Sequence, residues 1–165
     1  MIKLNINKKL LPLLNIPKRV KILVGGRGSG KSVGVIDIMT LFLSTGQRIC
    51  ASREYQNSIA QSVHSLFVSA IERYGIGDAF TIGKTNITSG SGEVFYKGLA
   101  RNVEAVKSLG PIDKFIIEEG ESVSENSLRI LTPSIRGGPG KEAPELWICM
   151  NRKSREGAIA KKYLR

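Results

Sequence analysis

Residues 25–32 read Gly25-Gly26-Arg27-Gly28-Ser29-Gly30-Lys31-Ser32. The spacing is G-x-x-x-x-G-K-[ST], which is typical of a phosphate-binding loop. Glycines in such a loop let backbone N–H groups turn inward and bind phosphate oxygens. The lysine reaches the outer phosphates, and the serine hydroxyl can ligate Mg²⁺. The sequence therefore predicts a nucleotide site over these eight residues, with Ser32 at the metal.

The residues on either side predict a strand before this loop and a helix after it. Residues 20–24 are a short apolar run, and residues 33–43 have the length and composition of a buried helix. This order brings a helix N-terminus to the phosphates, where the helix dipole favours an anion. A glycine-rich turn with an incidental lysine is the alternative interpretation.

Length and composition predict a single domain. The chain has 165 residues, so we expect one core over residues 20–165 after a basic lead-in over residues 1–19. The net charge of +11 exceeds what a nucleotide needs and favours a polyanionic partner, most simply nucleic acid, although a basic surface that only aids solubility is the alternative. No apolar run has the length of a membrane span, so no membrane partner is expected. Cys50 and Cys149 lack C-x-x-C spacing and are expected to be buried and free of metal.

Strand and helix signals alternate along the rest of the chain. We expect strands over residues 48–52, 93–96, 114–117 and 146–150, with further β structure from residue 79. An amphipathic helix is expected over residues 59–74, and another after the N-cap Ser124, stopping before Pro133. The single histidine, His64, is off the apolar stripe and is expected at the surface. This alternation predicts an α/β fold with a mainly parallel central sheet flanked by helices.

Two adjacent acids end the strand predicted over residues 114–117. Glu118 can hold Mg²⁺, and Glu119 can orient or deprotonate the water that attacks the nucleotide. Adjacent carboxylates at a buried strand end are costly unless a cation lies close to them. An acidic turn that opens onto solvent is the alternative, and the nearby Glu121 and Glu125 would suit it.

Four further polar residues are candidates for the site. Asn151 follows the last predicted strand and can sense the γ-phosphate from the carboxyl edge of the sheet, although an ordinary turn residue has the same pattern. Arg27 can stabilise γ-phosphate charge from within the same chain, or face solvent. Arg53 follows the second predicted strand at the same edge. Arg101 precedes the acid-ending strand and can reach a neighbour in a ring. We favour Arg27 as the arginine acting in cis and Arg101 as the one acting in trans.

Four stretches together resemble the ATPase domain of tailed-bacteriophage terminase large subunits. They are GGRGSGKS (25–32), SREYQNSIAQSV (52–63), VKSLGPIDKFIIEEGESVSENSLRILTPSIR (106–136) and LWICMNRKSREGAIAKKYL (146–164). The resemblance implies a P-loop NTPase fold of the additional-strand, catalytic-glutamate class. It also implies an ATP-hydrolysing, Mg²⁺-dependent motor that drives double-stranded DNA into a procapsid.

The resemblance assigns roles at the matching positions. Residues 25–32 correspond to the Walker A loop, Glu118 to the Walker B acid, Glu119 to the catalytic glutamate and Asn151 to the coupling position. Three positions depart from the usual pattern. The Walker B acid is Glu rather than Asp, Gly120 stands where Glu-Glu-Ala is common, and Arg152 stands where Pro usually follows the coupling residue.

The resemblance also implies the partners and the compartment. They are double-stranded DNA, the portal or procapsid, the small terminase subunit and further copies of the chain in a ring, in the cytoplasm of an infected bacterium. Whole terminases carry a nuclease domain with clustered aspartates. This chain has only Asp37, Asp78 and Asp113, so we expect it to lack that domain and its nuclease activity.

Two alternative functions remain at this point. One is a nucleotide-gated DNA-binding or assembly module with little hydrolysis of its own. The other is a different P-loop NTPase, such as a GTPase or a small-molecule kinase. A GTPase would carry N-K-x-D and D-x-x-G, and neither occurs in the sequence.

Overall fold

The structure is a computed structural model that describes residues 6–16, 18–55, 59–100, 103–137, 143–151 and 156–164; for residues 59–61 only the backbone is described. Within these ranges the strands are β1 (Val20–Val24), β2 (Arg48–Arg53), β3 (Thr81–Ile82), β4 (Asn86–Ser89), β5 (Gly92–Gly98), β6 (Lys114–Ile117) and β7 (Glu145–Met150). The helices are α1 (Leu11–Asn15), α2 (Lys31–Ser44), α3 (Ile59–Arg73), α4 (Glu125–Ser134) and α5 (Ala158–Tyr163). Short 3-10 helices cover Lys8–Leu10, Gly77–Ala79, Val103–Ser108 and Gly120–Ser122.

The strands form one sheet in the order β1-β7-β6-β2-β5-β4-β3. The first five are parallel neighbours, and β4 and β3 add an antiparallel edge. The predicted mainly parallel sheet is therefore confirmed. Because the strands run in one direction, β1, β7, β6 and β2 all end at the same edge of the sheet. Val24 pairs with Met150 there, and Ile117 pairs with both Ser52 and Ile148.

Apolar layers cover both faces of the sheet. α2 and α3 bury residues such as Ile38 and Phe67 on one face, together with Trp147 from β7. α4 and α5 bury residues such as Leu131 and Ile159 on the other face. Strands covered on both sides have near-continuous apolar sequences, which is why β6 and β7 could be predicted from composition alone.

Two local expectations were wrong. α4 does not stop before Pro133 but ends at Ser134. The Ile135 N–H donates to Leu131 O at 3.3 Å and the Ser134 hydroxyl to Ile130 O at 2.6 Å, so bonds on either side of the proline close the last turn. His64 is half-buried rather than a simple surface residue, because its Nδ1 lies 3.0 Å from the Tyr96 hydroxyl.

A buried ionic cluster lies at the amino-terminal edge of the sheet, away from the predicted nucleotide site. Lys21 Nζ lies 2.8 Å from Glu145 Oε1, and Lys114 Nζ lies 3.1 Å from Oε2 of the same residue. Trp147 Nε1 also donates to Glu145 Oε2 at 2.7 Å. Burial opposes ionisation of Glu145, but these donors outweigh it and hold the pKa of the carboxyl below its usual value. Lys21 also donates to Leu13 O at 2.7 Å, which fastens α1 to the sheet.

None of the helices in the described ranges is long and apolar enough to cross a membrane.

Candidate functional site

The glycine-rich loop leaves β1 at the carboxyl edge of the sheet and enters α2 at Lys31. Gly28 and Gly30 have φ values of 72° and 77°, which residues other than glycine adopt only with backbone strain. The Gly25 N–H donates to Met150 O at 3.2 Å, which ties the start of the loop to the end of β7. The predicted strand, loop and helix are therefore present in the predicted order.

The Lys31 ammonium curls back over the loop. Its Nζ lies 3.0 Å from Gly25 O, 2.8 Å from Gly26 O and 3.2 Å from Ser29 Oγ. It also lies 3.2 Å from Asn151 Oδ1, at the end of β7. These four acceptors hold a positive charge in the concave side of the loop, which is where the motif requires it.

Ser32 and Glu118 join the loop to the end of β6. The Ser32 hydroxyl donates to Glu118 Oε2 at 2.9 Å, although the two residues are far apart in sequence. Glu118 is only 4% exposed, and among the described residues its Oε1 has no hydrogen-bond donor. Burial raises the pKa of this carboxyl, and the hydrogen bond from Ser32 acts in the opposite direction. Such a buried oxygen is suited to a cation.

Glu119 has an unusual backbone conformation. Its φ is 53° and its ψ is 46°, and it is the only non-glycine residue with positive φ among those described. A left-handed residue of this kind costs energy and is often found at functional sites. Its Oε1 lies 3.5 Å from Nη2 of Arg53 at the end of β2, and its side chain is 54% exposed. The carboxylate is therefore turned toward the cleft rather than into the core.

Asn151 is held from two sides. Its backbone N–H donates to Glu121 Oε2 at 3.0 Å, and its Nδ2 donates to Glu121 Oε1 at 2.9 Å. Its Oδ1 accepts from Lys31, as described above. Asn151 thus connects the turn after the two acids with the lysine of the loop.

One cleft collects nearly all of these groups. Its lining residues are Arg27, Gly28, Ser29, Gly30, Lys31, Ser32, Val33, Arg53, Glu118, Glu119, Glu121, Cys149, Met150 and Asn151. Arg27 is exposed at the mouth of the cleft. Arg101 and Arg152 lie outside the described residues. The role of Arg101 as the arginine acting in trans therefore stays a prediction.

The sequence did not predict the roles of two lining residues, Arg53 and Glu121, or the place of a third, Cys149, in the cleft. Arg53 was only one of three candidate arginines, yet it is the one that contacts Glu119. Glu121 was named only in support of the alternative, an acidic turn that opens onto solvent, and no local signal marks its contact with Asn151. Cys149 was predicted as a buried residue and is one, but it also lines the cleft, where burial and the charge of Glu118 raise the pKa of its thiol.

A family model described as phage terminase large subunit matches residues 17–165. No curated protein sequence matches the chain. Solved structures of phage packaging proteins are similar to it in fold. The large terminase of a thermophilic bacteriophage has a TM-score of 0.70 at 11% identity, over 89% of this chain and 37% of that one. The same thermophilic-phage protein has also been solved in complex with ADP, with a TM-score of 0.65.

The large terminase of bacteriophage HK97 has a TM-score of 0.65 at 16% identity, over 87% of this chain and 31% of that one. The N-terminal domain of the DNA packaging ATPase from bacteriophage phi29 has a TM-score of 0.62 at 15% identity, over 86% of this chain and 77% of that one. The chain thus spans about a third of the two large terminases, with 37% and 31% covered. At such identities the likeness shows the fold alone, which is the P-loop NTPase fold.

Proposed function

The chain belongs to the phage terminase large subunit family, and from this premise we propose that it is an ATP-hydrolysing motor domain for packaging double-stranded DNA into a procapsid. We propose a single P-loop ATPase domain over residues 1–165. Its compartment would be the cytoplasm of an infected bacterium. The further partners would be the portal or procapsid, the small terminase subunit and other copies of the chain in a ring.

The contact between Ser32 and Glu118 carries this proposal. It joins the hydroxyl that follows the loop lysine to a buried acid on another strand, at 2.9 Å. A glycine-rich turn with an incidental lysine has no need of such a partner. Together with Lys31 over the loop, the pair makes a site for phosphates and a divalent cation. The ADP complex of the thermophilic-phage terminase supports an adenine nucleotide as the ligand.

The residues present fit Mg²⁺. The test is the Glu118 carboxyl, which is 4% exposed and has one buried oxygen that no described donor reaches. Ser32 and Glu118 would hold the ion, because hydroxyl and carboxylate oxygens are the ligands that it prefers. When bound, the ion would neutralise charge on the β- and γ-phosphate oxygens.

The chain's own side chains would supply the rest of the reaction. Lys31 would leave the carbonyl oxygens of Gly25 and Gly26 and bind the outer phosphates, because phosphate oxygens, like the carbonyl oxygens, carry negative charge. Glu119 would orient the attacking water and accept its proton, because its carboxylate is exposed to the cleft. Arg53 would set the direction of that carboxylate, and Arg27 would face the γ-phosphate from the mouth of the cleft.

A second function is favoured by one observation. Lys31 is bonded within its own loop, and Glu119 is paired with Arg53. A chain that rests in this arrangement could bind nucleotide and DNA yet hydrolyse little until a neighbour completes the site. Such a nucleotide-gated assembly module is the alternative to an active motor.

Phosphate release from ATP separates these functions. We expect slow, Mg²⁺-dependent release by the wild type, which EDTA stops and which double-stranded DNA raises. Glu119→Gln tests whether the phosphate comes from this site, because it keeps the shape of the side chain and removes the carboxylate. Release that persists unchanged in Glu119→Gln would refute the ATPase assignment. Nucleotide binding without release, with or without DNA, would favour the assembly module.

DNA binding is tested separately. With a net charge of +11, the chain should bind two unrelated duplexes equally, and the affinity should fall steeply as salt is raised. A flat salt response would contradict a packaging role. We also expect no nicking of supercoiled plasmid with Mg²⁺ or Mn²⁺, and nicking that disappears in Glu118→Ala would overturn that expectation.

A further inference from the structure

Glu121 makes two hydrogen bonds that the hydrolysis scheme above does not use. Both of its carboxylate oxygens accept from Asn151, at 3.0 Å from the backbone N and 2.9 Å from Nδ2. We propose that Glu121 is a positioning residue that fixes the Asn151 amide, so that its oxygen faces Lys31 and the phosphate site. This inference rests on the proposed function and adds a residue to its site.

The chemistry at both ends of the Asn151 amide requires the same orientation. A carboxylate can only accept hydrogen bonds, and an ammonium can only donate them. Glu121 therefore requires the Nδ2 end, and Lys31 at 3.2 Å requires the Oδ1 end. A flipped amide would set oxygen against oxygen on one side and donor against donor on the other. Glu121 thus selects one of two orientations that have nearly the same shape.

Close packing of the turn brings Glu121 within reach of Asn151. The 3-10 turn Gly120–Ser122 follows Glu119 directly. A Cβ at Gly120 would lie 2.6 Å from Ile148 Cγ2 and 3.3 Å from Met150 Cβ, so the turn rests against β7 with no room for a side chain. One short segment therefore carries the acid for the metal, the acid for the water and the acid that sets Asn151.

The position of Asn151 gives Glu121 a specific effect on ligand choice. Lys31 and Asn151 face the outer end of a nucleotide bound in the loop, since the lysine of this motif reaches the β- and γ-phosphates. A misoriented amide would place an N–H group against Lys31 and disturb the contact with the γ-phosphate. Contacts with the phosphates that ADP retains come mainly from the backbone of the loop. Loss of Glu121 should therefore weaken the preference for ATP over ADP more than it weakens ADP binding.

The test measures the affinities of the full chain for ADP and for a non-hydrolysable ATP analogue. The variants are Glu121→Ala, Glu121→Gln, Asn151→Ala and the double variant Glu121→Ala/Asn151→Ala. Glu125→Ala is the matched control, because this nearby acid has a side chain that is 76% exposed and lies 3.8 Å from Lys161. Thermal melts of each variant without nucleotide report any effect on the fold.

We expect Glu121→Ala to lower the preference for the analogue over ADP about tenfold, the loss that one hydrogen bond can cause. Glu121→Gln should lower the preference in the same direction although it keeps the shape, because its amide offers one acceptor oxygen to the two donors of Asn151. The double variant should be no worse than Asn151→Ala, and Glu125→Ala should match the wild type.

Three results would overturn the inference. One is wild-type preference in Glu121→Gln, and another is additivity of the two alanine variants. The third is an equal loss of affinity for both ligands that follows a lower melting temperature, which would make Glu121 merely structural. Failure of the wild type itself to bind either ligand is a different result, since it would refute the proposed function.

Discussion

Replacing Gly120 with alanine would give the chain the residue that is common at this position in terminases, yet we expect the protein to become less stable. The added Cβ would lie 2.6 Å from Ile148 Cγ2, 3.1 Å from Ile159 Cδ1 and 3.3 Å from Met150 Cβ. Carbon atoms in contact are normally about 3.5–4.0 Å apart, so the first approach is about 1 Å too close.

The size of the effect follows from two opposing contributions. Overpacking of a buried site costs about 1–3 kcal/mol. Alanine also lowers the conformational entropy of the unfolded chain, which stabilises the fold by about 0.4–1 kcal/mol where the native backbone accepts alanine. The net loss is about 1–2 kcal/mol, which lowers the melting temperature of a domain of this length by roughly 2–8 °C.

Calorimetry or urea unfolding without nucleotide measures this loss, and two further variants make it specific. Gly77 also begins a 3-10 helix, but a Cβ there would meet nothing within 4 Å, so Gly77→Ala should be neutral or slightly stabilising. Ile148→Leu moves the offending methyl away from Cβ at constant volume, so Gly120→Ala should cost less in that background. A Gly120→Ala protein that melts at or above the wild-type temperature would refute the packing argument.

The remaining predictions concern the site and the ionic cluster. Lys31→Ala should abolish nucleotide binding, because it removes the ammonium at the centre of the loop; fluorescent-nucleotide titration measures this, and unchanged affinity would contradict the loop assignment. Glu119→Gln should bind nucleotide normally but release phosphate at least about a hundredfold more slowly. Arg53→Ala should lower the rate of phosphate release, because it removes the cation that contacts the Glu119 carboxylate. The pKa of the Glu145 carboxyl is lower in the folded protein than in the unfolded chain. Its negative charge therefore stabilises the fold at pH values above the unfolded pKa, and this stabilisation is lost as the pH falls through the folded pKa. The difference in melting temperature between the wild type and Glu145→Gln should be larger at about pH 7 than at about pH 4.

The sequence was sufficient to predict a helix or strand wherever residues close together in the chain determine it. β1 and α2 follow from an apolar run on each side of the glycines, and α3 from apolar residues at helical spacing. The end of α4 was missed because the rule that a helix stops before proline is local. The bonds that carry the helix past Pro133 come from residues on both sides of it.

The sequence predicted which motif residues lie in the site. It did not predict the contacts that Arg53 and Glu121 make with residues of other strands. Lys31, Ser32, Glu118 and Asn151 were each expected at the carboxyl edge, and the structure brings them together. The pairing of Arg53 with Glu119 depends on the register of β2 against β6, which no sequence pattern reveals. The reach of Glu121 to Asn151 depends on how closely the turn after β6 packs on β7, a contact across thirty positions.

The charges of the cleft bear on why the chain is so basic. Three lining residues are cationic, Arg27, Lys31 and Arg53, and three are acidic, Glu118, Glu119 and Glu121, so their formal charges cancel. The chain as a whole has a net charge of +11, and the excess therefore lies outside the described cleft. A bound nucleotide adds several negative charges to this neutral cleft, which the proposed Mg²⁺ ion and the proposed trans arginine would offset. The basic excess therefore supports the proposed binding of double-stranded DNA, a long polyanion, at the outer surface.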